Sequence, residues 1–378
     1  MDFEDIRSYR DNEVKDVINR LVSDASFLKF VGYVMGPDKV QSIVANKDKI
    51  NTIHDFQYSI VREFLESLES KIASECTLIG VENISKEKSS LFLTNHRDII
   101  LDSALLNHGL FRNNIDTTEI AIGNNLLIYP WIADLVRLNK SFIVRRDISA
   151  KELLLASQKL SAYILDTLQN RKQSIWMAQR EGRAQDSNDR TQPSVLKMLI
   201  MSGEGSVLDR ILALNITPVA ICYEYDTCDY LKAKEFQQKR DDANYKKQPG
   251  DDLANMKIGL LSPKGRIIFN AAKPISTEDL KPLEGLNRNE QLVKVAELID
   301  RKIFASYRFF PINYVAYDCR FGGNTFADKY TEEEKQKTLT YFDAQIAKIE
   351  LENKDEAFLR SKILEMYSNP LVNYLSIK

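Results

Sequence analysis

The chain has 378 residues, of which 44% are hydrophobic, so it is long enough to bury a large core in one or two domains. Its 52 basic and 54 acidic residues give a formal net charge of −2, which excludes a chain-wide attraction to nucleic acid and leaves any anionic ligand to a local cluster. The four cysteines form no CxxC pair and no window holds the roughly 18 consecutive apolar residues of a spanning helix, so we expect a globular cytoplasmic protein without a structural zinc site.

The first part of the chain has a helical pattern. Val14, Val17, Ile18 and Leu21 fall on one face of a helix, and the stretch FQYSIVREFLESLESKIA continues the same spacing of apolar residues. Residues 1–75 are therefore predicted to form an N-terminal helical region.

Short apolar strands follow and alternate with helices. The runs predicted as strands are rich in β-branched and aromatic residues, and they read CTLIGVENI, LFLTN, EIAIGN, SFIVRR, SIWMAQ, ITPVAICYEY and GRIIFNAAKPI. Such an alternation is typical of an α/β domain, here residues 76–325, with a mixed, mostly parallel sheet flanked by helices. Apolar residues at helical spacing after Thr331 predict a further helical segment over residues 326–378.

The clearest of these helices runs from Ser149 to Asn170. Ser149 and Glu152 have the spacing of a capping box, in which each side chain bonds the backbone of the other residue. The apolar side of this helix is predicted to contain Leu153, Leu154, Leu160, Tyr163, Ile164 and Leu168.

Reactive side chains gather directly after the predicted strand LFLT. His96 lies there, at a strand end, where α/β domains commonly place functional groups. A neutral imidazole can accept a proton from a substrate hydroxyl, and a neighbouring carboxylate can orient the ring and stabilise the imidazolium that forms. Asp98 and Asp102 are both candidates for that carboxylate. The alternative is that Asp98 caps a helix beginning at Ile99 and that His96 only satisfies backbone groups.

A pair of arginines ends another predicted strand, in the stretch SFIVRRD. The guanidinium groups of Arg145 and Arg146 have the planar geometry that matches phosphate oxygens. The alternative is that both form surface ion pairs with Asp147 or with other acids.

A third cluster follows the strand SIWMAQ, in the stretch MAQREGRAQD. Gly182 permits a close backbone approach or an unusual dihedral angle, Glu181 precedes it, and Arg180 and Arg183 flank the pair with positive charge that suits an anion. An ordinary charged turn is the alternative interpretation.

Taken together, these stretches resemble the four motif blocks of the glycerol-phosphate acyltransferases, which include glycerol-3-phosphate and lysophosphatidate acyltransferases. NHRDIILD resembles the histidine-aspartate block, SFIVRRD the arginine block, REGRAQD the Glu-Gly-Arg block and ITPVAICYEYD the proline-containing fourth strand. The resemblance covers roughly residues 76–275. The sequence departs from it twice: five residues separate His96 from Asp102, one more than usual, and Gly182 directly precedes Arg183, where the family has a residue between them.

The resemblance implies a fold like that of the family and roles for particular residues. His96 would be the general base on the acceptor hydroxyl, oriented by Asp102. Arg145 and Arg146 would hold the acceptor phosphate. The residues expected to complete the acceptor site are Glu181, Gly182 and Arg183.

It also implies substrates and partners. An acyl group would move from acyl-CoA or acyl-carrier protein to glycerol-3-phosphate or 1-acylglycerol-3-phosphate, with no metal or prosthetic group, at the inner face of a membrane to which the protein attaches peripherally. Two alternatives stay open. The first is that the acceptor is another lipid hydroxyl, such as that of an amino-acid lipid. The second is that the protein is a non-catalytic relative that binds lipid or acyl-carrier protein.

Overall fold

The computed structural model describes residues 1–146, 148–246 and 250–378, with the backbone alone at residues 150, 252 and 253; Asp147 lies outside the described residues. Within these ranges, every run predicted as a strand contributes one to a single sheet. The strands are β1 (Ala73–Ile79), β2 (Leu91–Thr94), β3 (Glu119–Gly123), β4 (Ser141–Val144), β5 (Ile175–Ala178), β6 (Ile216–Tyr223) and β7 (Gly265–Ala271).

The sheet has the order β1-β7-β6-β2-β5-β3-β4. Neighbouring strands are parallel except for β6 and β7, which pair antiparallel with Ile221 opposite Phe269. All eight residues of β6 are buried, as expected for a central strand that is covered on both faces. The prediction of a mixed, mostly parallel sheet flanked by helices is confirmed.

Helices cover the sheet and continue at both ends of the chain. The α-helices are α1 (Val14–Ser23), α2 (Ala25–Met35), α3 (Pro37–Asn46), α4 (Ile53–Phe56), α5 (Arg62–Ile72), α6 (Leu101–Arg112), α7 (Pro130–Leu138), α8 (Ala150–Gln169), α9 (Pro193–Leu199), α10 (Val207–Ala213), α11 (Asp229–Asp241), α12 (Asp251–Leu261), α13 (Thr277–Leu280), α14 (Arg288–Ala305), α15 (Pro311–Phe321), α16 (Glu332–Ala347) and α17 (Glu356–Leu375). A π-helical turn (Gln57–Val61) and the 3-10 turns Asp11–Glu13, Lys47–Lys49, Val81–Asn83, Asn124–Leu126, Lys281–Leu283 and Ala327–Lys329 complete the helical elements.

Both terminal segments pack on the central domain. The N-terminal helices share a hydrophobic cluster with Leu138 of α7, and Phe342 and Ile363 of the last two helices belong to the main core. The backbone N–H of Ile143 in the edge strand β4 donates to the carbonyl of Ile6 at 2.8 Å. Helical extensions at both ends are thus confirmed, whereas the domain boundaries after residues 75 and 325 stay predictions.

Helix α8 begins as its sequence predicts. Ser149 and Glu152 form the capping box, and the buried residues on this helix include Leu160, Tyr163, Ile164 and Leu168. Leu153 and Leu154, however, are more than half exposed. Periodicity identifies the apolar face of a helix, but it does not show how far along the helix a covering surface extends.

Candidate active site

The loop between β2 and α6 is anchored by an asparagine side chain. Asn95 follows the last residue of β2, and its amide takes the place of a backbone pair: Nδ2 donates to the carbonyl of Ile221 at 2.9 Å, and Oδ1 accepts from the N–H of Ile221 at 2.7 Å. Asn95 is fully buried. The next residue, His96, therefore leaves the sheet from a fixed point.

The structure pairs His96 with Asp102. Nδ1 of His96 lies 2.8 Å from Oδ2 of Asp102, and the same oxygen accepts from the backbone N–H groups of Arg97 at 2.6 Å and Asp98 at 3.1 Å. The other oxygen accepts from the hydroxyl of Tyr223 at 3.0 Å. With four donors around it, the fully buried carboxylate of Asp102 is well solvated by the protein and holds the imidazole in one orientation.

The loop absorbs the additional residue between histidine and aspartate. Helix α6 begins at Leu101 rather than at Ile99, so the residues before it are free to bend back over the carboxylate. Asp98 caps this helix end, since its Oδ1 accepts from the N–H groups of Ile100 and Leu101, both at 2.9 Å. The two interpretations of the aspartates therefore hold together: Asp98 caps the helix, and Asp102 contacts His96.

The surroundings of His96 leave one ring nitrogen for a ligand. Trp176 of β5 contacts the imidazole edge-to-face at a centroid distance of 5.8 Å, and His96 lines a large cavity. Since Nδ1 donates to Asp102, Nε2 is the nitrogen that can accept a proton. Burial, and then the charge of Asp102, raises the pKa of Tyr223 well above its ordinary value, so this hydroxyl remains a donor.

The cavity beside His96 has a volume of about 1450 Å³. Pockets for drug-sized ligands typically have about 300–1,000 Å³, so this cavity is larger. Much of its wall is apolar and comes from α2, α5 and α7, and this part includes Phe27, Phe30, Val34, Phe64, Leu65 and Trp131. The predicted site residues that also line it are His96, Arg145, Arg146, Glu181, Gly182 and Arg183. All predicted site residues except Asp102, which lies behind His96, thus face one cavity.

The two arginines after β4 have different partners. Arg145 forms an ion pair with Asp5 at 2.5 Å, and its side chain is half exposed. Arg146 has a looser contact with Glu181, at 3.9 Å, and lies against Gly123, where an added Cβ would be 3.0 Å from its Nε. Of the two, Arg146 is the guanidinium with more freedom to bind a ligand.

The turn after β5 supplies two further guanidinium groups. Gly182 has φ +68°, a conformation that glycine adopts without strain, and the N–H of Glu181 donates to Oε1 of Gln192 at 2.8 Å. Nε of Arg180 and Nη1 of Arg183 are buried and have no hydrogen-bond partner in the described part of the chain. Buried N–H groups without an acceptor are costly, so these two groups are suited to donate to an anion.

Arg180 was not among the site residues assigned by the sequence, although it directly precedes the Glu-Gly-Arg motif. It too lines the cavity. Of the charged residues in the described ranges that line the cavity, seven are basic and three are acidic, although the chain as a whole has a net charge of −2. The cavity therefore attracts anions through local charge.

A buried ion pair connects the histidine loop to the turn after β5. The guanidinium of Arg97 donates two hydrogen bonds to Asp189, at 2.9 and 2.5 Å, and the hydroxyl of Tyr307 donates to the same carboxylate at 2.6 Å. No local pattern in the sequence indicates this contact, since Arg97 and Asp189 are 92 residues apart. The bridge fixes the histidine loop and the turn after β5 relative to one another.

Comparisons with known proteins give one family match and one similar solved structure. Residues 75–221 match the family model described as Acyltransferase. Among solved structures, the chain is similar to the 1-acyl-sn-glycerophosphate (LPA) acyltransferase PlsC from Thermotoga maritima. The similarity covers 77% of this chain and 93% of that one, with 13% identity and a TM-score of 0.38. No curated protein sequence matches the chain.

Proposed function

Residues 75–221 match the acyltransferase family model, and on this premise we propose that the chain acylates a hydroxyl of glycerol-3-phosphate or 1-acylglycerol-3-phosphate, with His96 as the base. The acyl donor is a thioester, acyl-CoA or acyl-carrier protein. The observation that carries the proposal is the His96–Asp102 pair at a cavity that combines an apolar wall with two buried arginine N–H groups that bond nothing in the described part of the chain.

The reaction proceeds by direct attack of the acceptor on the donor. Nε2 of His96 takes the proton of the acceptor hydroxyl as its oxygen forms a bond to the thioester carbonyl carbon, and Asp102 stabilises the resulting imidazolium. The tetrahedral intermediate collapses, the carbon–sulfur bond breaks, and the imidazolium returns its proton to the departing thiolate. The products are an ester and a free thiol, and His96 is neutral again.

Arginines hold the acceptor phosphate. Arg146 has a distant contact with Glu181, and Arg180 and Arg183 each have a buried N–H that bonds no group in the described ranges. The three can therefore offer charge-assisted hydrogen bonds to phosphate oxygens. Arg145, which is paired with Asp5, contributes mainly through its charge. Glu181 and Gly182 shape the turn that presents these groups.

The acyl chain lies along the apolar wall. The aromatic and aliphatic side chains of α2, α5 and α7 bury methylene groups, and each buried CH₂ contributes about 0.8 kcal/mol. Imidazole, carboxylate and guanidinium supply the base, its orientation and the positive charge, so the proposed reaction uses no metal or prosthetic group.

The substrates also suggest where the protein works. None of the helices in the described ranges combines the length and the apolar composition that a membrane crossing requires. We propose a cytoplasmic protein that associates peripherally with the inner face of a membrane, where it meets its lipid substrate or product.

Thiol release tests the proposal. Palmitoyl-CoA and palmitoyl-acyl-carrier protein are each offered with glycerol-3-phosphate or with lysophosphatidate, and the free thiol is measured for wild type and His96→Ala. Loss of general base catalysis costs about 10²–10⁴ in rate, so the variant should be nearly silent. His54→Ala is the matched control, because His54 is exposed and does not line the cavity.

Other outcomes would assign the site differently. Turnover with a lysolipid that carries an amino acid, but not with a phosphate acceptor, would favour the amino-acid lipid alternative. Acyl-chain binding without turnover for any pair would favour the non-catalytic alternative, whose main support was the unusual His96 to Asp102 spacing. The 2.8 Å contact between these residues removes that support.

A further inference from the structure

Exposed apolar side chains are concentrated around the mouth of the cavity. The described part of the chain has thirteen large hydrophobic residues that are exposed, and seven of them either line the cavity or adjoin a residue that does. This set, which we call the rim, consists of Tyr33, Ile128, Tyr129, Leu153, Leu154, Leu155 and Leu261, each between 37% and 63% exposed. The rim comes from four separate parts of the chain: α2, the segment before α7, the first turns of α8 and the end of α12.

The rim residues form a patch, because four elements present them at one opening instead of leaving them scattered over the surface. Single exposed apolar residues are ordinary, whereas a group of them marks a surface that another phase or molecule covers. Leu153, Leu154 and Leu155 are consecutive, so they project over more than half of the helix circumference. No single flat protein face would cover such a turn, but a fluid apolar medium would surround it.

The charges near the rim identify the kind of surface that fits. Lys29, Lys151 and Lys257 are exposed on the same helices, and the ammonium of Lys257 lies 5.2 Å from the ring centre of Tyr33. The charged residues that line the cavity are themselves mainly basic. Apolar and aromatic side chains flanked by lysines are the composition of elements that lie in the interface of an anionic bilayer.

We propose that the rim docks the protein on an anionic lipid bilayer, with Leu153, Leu154 and Leu155 inserted below the headgroups, so that the cavity opens directly into the lipid. The inference rests on the proposed function, because it identifies the phase from which the long-chain substrate or product exchanges. In this position an acyl chain passes between bilayer and cavity without crossing water. The acceptor phosphate enters at the level of the lipid headgroups, where Arg146, Arg180 and Arg183 can bind it.

Vesicle flotation tests the docking surface. Ile128 and Leu154 belong to the rim but do not line the cavity, so Ile128→Ser/Leu154→Ser removes apolar surface without altering the wall of the site. The matched control is Leu286→Ser/Val293→Ser, which removes exposed apolar residues that lie elsewhere. Vesicles contain phosphatidylcholine alone or with phosphatidylglycerol, and thermal unfolding verifies that both variants are folded.

Wild type and the control should float with the vesicles that contain phosphatidylglycerol, and more weakly with phosphatidylcholine alone. The rim variant should partition at least about tenfold less, since burial of even one leucine is worth about that factor. Wild type that does not bind these vesicles, or a rim variant that binds as wild type does, would overturn the proposal. So would a rim-dependent dimer in place of vesicle binding.

The same variants separate this proposal from the reaction itself. With short-chain substrates that dissolve as monomers, the rim variant should keep the wild-type rate, whereas its rate with an acceptor embedded in vesicles should fall with its binding. Vesicle binding without any acyl transfer would contradict the proposed function and leave the docking surface standing. Acyl transfer to soluble acceptors without vesicle binding would contradict the docking surface and support the proposed function.

Discussion

Replacement of Asp102 by asparagine removes the charge of this carboxylate while keeping its shape. The amide oxygen can occupy the position of Oδ2 and accept from the same two backbone N–H groups and from His96, while the amide nitrogen faces the hydroxyl of Tyr223. The fold around the loop should therefore survive. What the variant loses is the attraction between the carboxylate and the imidazolium that forms during transfer.

The size of that loss follows from the contact. Nδ1 of His96 lies 2.8 Å from Asp102, which is fully buried. A hydrogen bond to a charged group contributes about 1.5–3 kcal/mol, and unit charges 4 Å apart attract by about 4 kcal/mol at an effective dielectric of 20. A loss of roughly 3–4 kcal/mol in the transition state lowers kcat about 10²- to 10³-fold. The KM of the acceptor should not change, because Asp102 does not line the cavity.

Asp98→Asn is the matched control for this variant. Asparagine caps a helix as well as aspartate does, so the bonds to Ile100 and Leu101 should persist and kcat should remain within a few-fold of wild type. Steady-state thiol release gives kcat and KM for each variant, and thermal unfolding verifies folding. The reasoning is refuted if Asp102→Asn keeps the wild-type kcat, or if Asp98→Asn loses as much.

Five other substitutions test separate features. Arg180→Gln and Arg183→Gln should each raise the KM for a phosphate acceptor about tenfold and leave the donor KM unchanged, since each removes a charge-assisted contact; an unchanged acceptor KM contradicts this. Tyr223→Phe should lower kcat about tenfold and alter the pH–rate profile without changing KM, because a buried carboxylate loses a donor; a purely structural residue would leave the profile as it is. Burial raises the pKa of Asp229 from 3.8 to about 6, so between these values the folded state keeps a proton that the unfolded chain releases. Wild type should therefore lose up to about 3 kcal/mol of unfolding free energy relative to Asp229→Asn as pH rises from about 4 to 6. Urea unfolding that gives the two proteins the same dependence of unfolding free energy on pH would contradict this. Gly182→Ala should lower the unfolding free energy by about 1 kcal/mol through backbone strain alone, as no atom lies within 4 Å of an added Cβ; wild-type stability would show that the turn relaxes.

The sheet was predictable because its strands have strong local patterns. The run ITPVAICY is almost entirely apolar and forms the fully buried strand β6, as its composition indicates. The antiparallel direction of β7 was not predictable in the same way. Two helices, α11 and α12, connect β6 to β7, and a connection of that length can return the chain in either direction.

The candidate site was predictable where its residues follow strands. His96 comes after β2, and the Glu-Gly-Arg turn comes after β5, which is the parallel neighbour of β2, so both leave the sheet at the same edge. Contacts between distant residues had no such signal. Tyr223 lies 121 residues from Asp102, and no spacing rule connects them. Likewise, the start of α6 depends on how the loop bends over Asp102, which a capping preference does not describe.

The contact between Ile6 and Ile143 has a consequence for self-association. Strand β4 is the last strand of the sheet, and its outer backbone groups would otherwise be open to a strand from another molecule. The segment around Ile6 occupies that position, and Asp5 beside it holds Arg145 at the cavity. The same few residues thus cover the edge of the sheet, where strands of other molecules could pair, and form part of the cavity wall. A change that detaches them should therefore affect solubility and catalysis together.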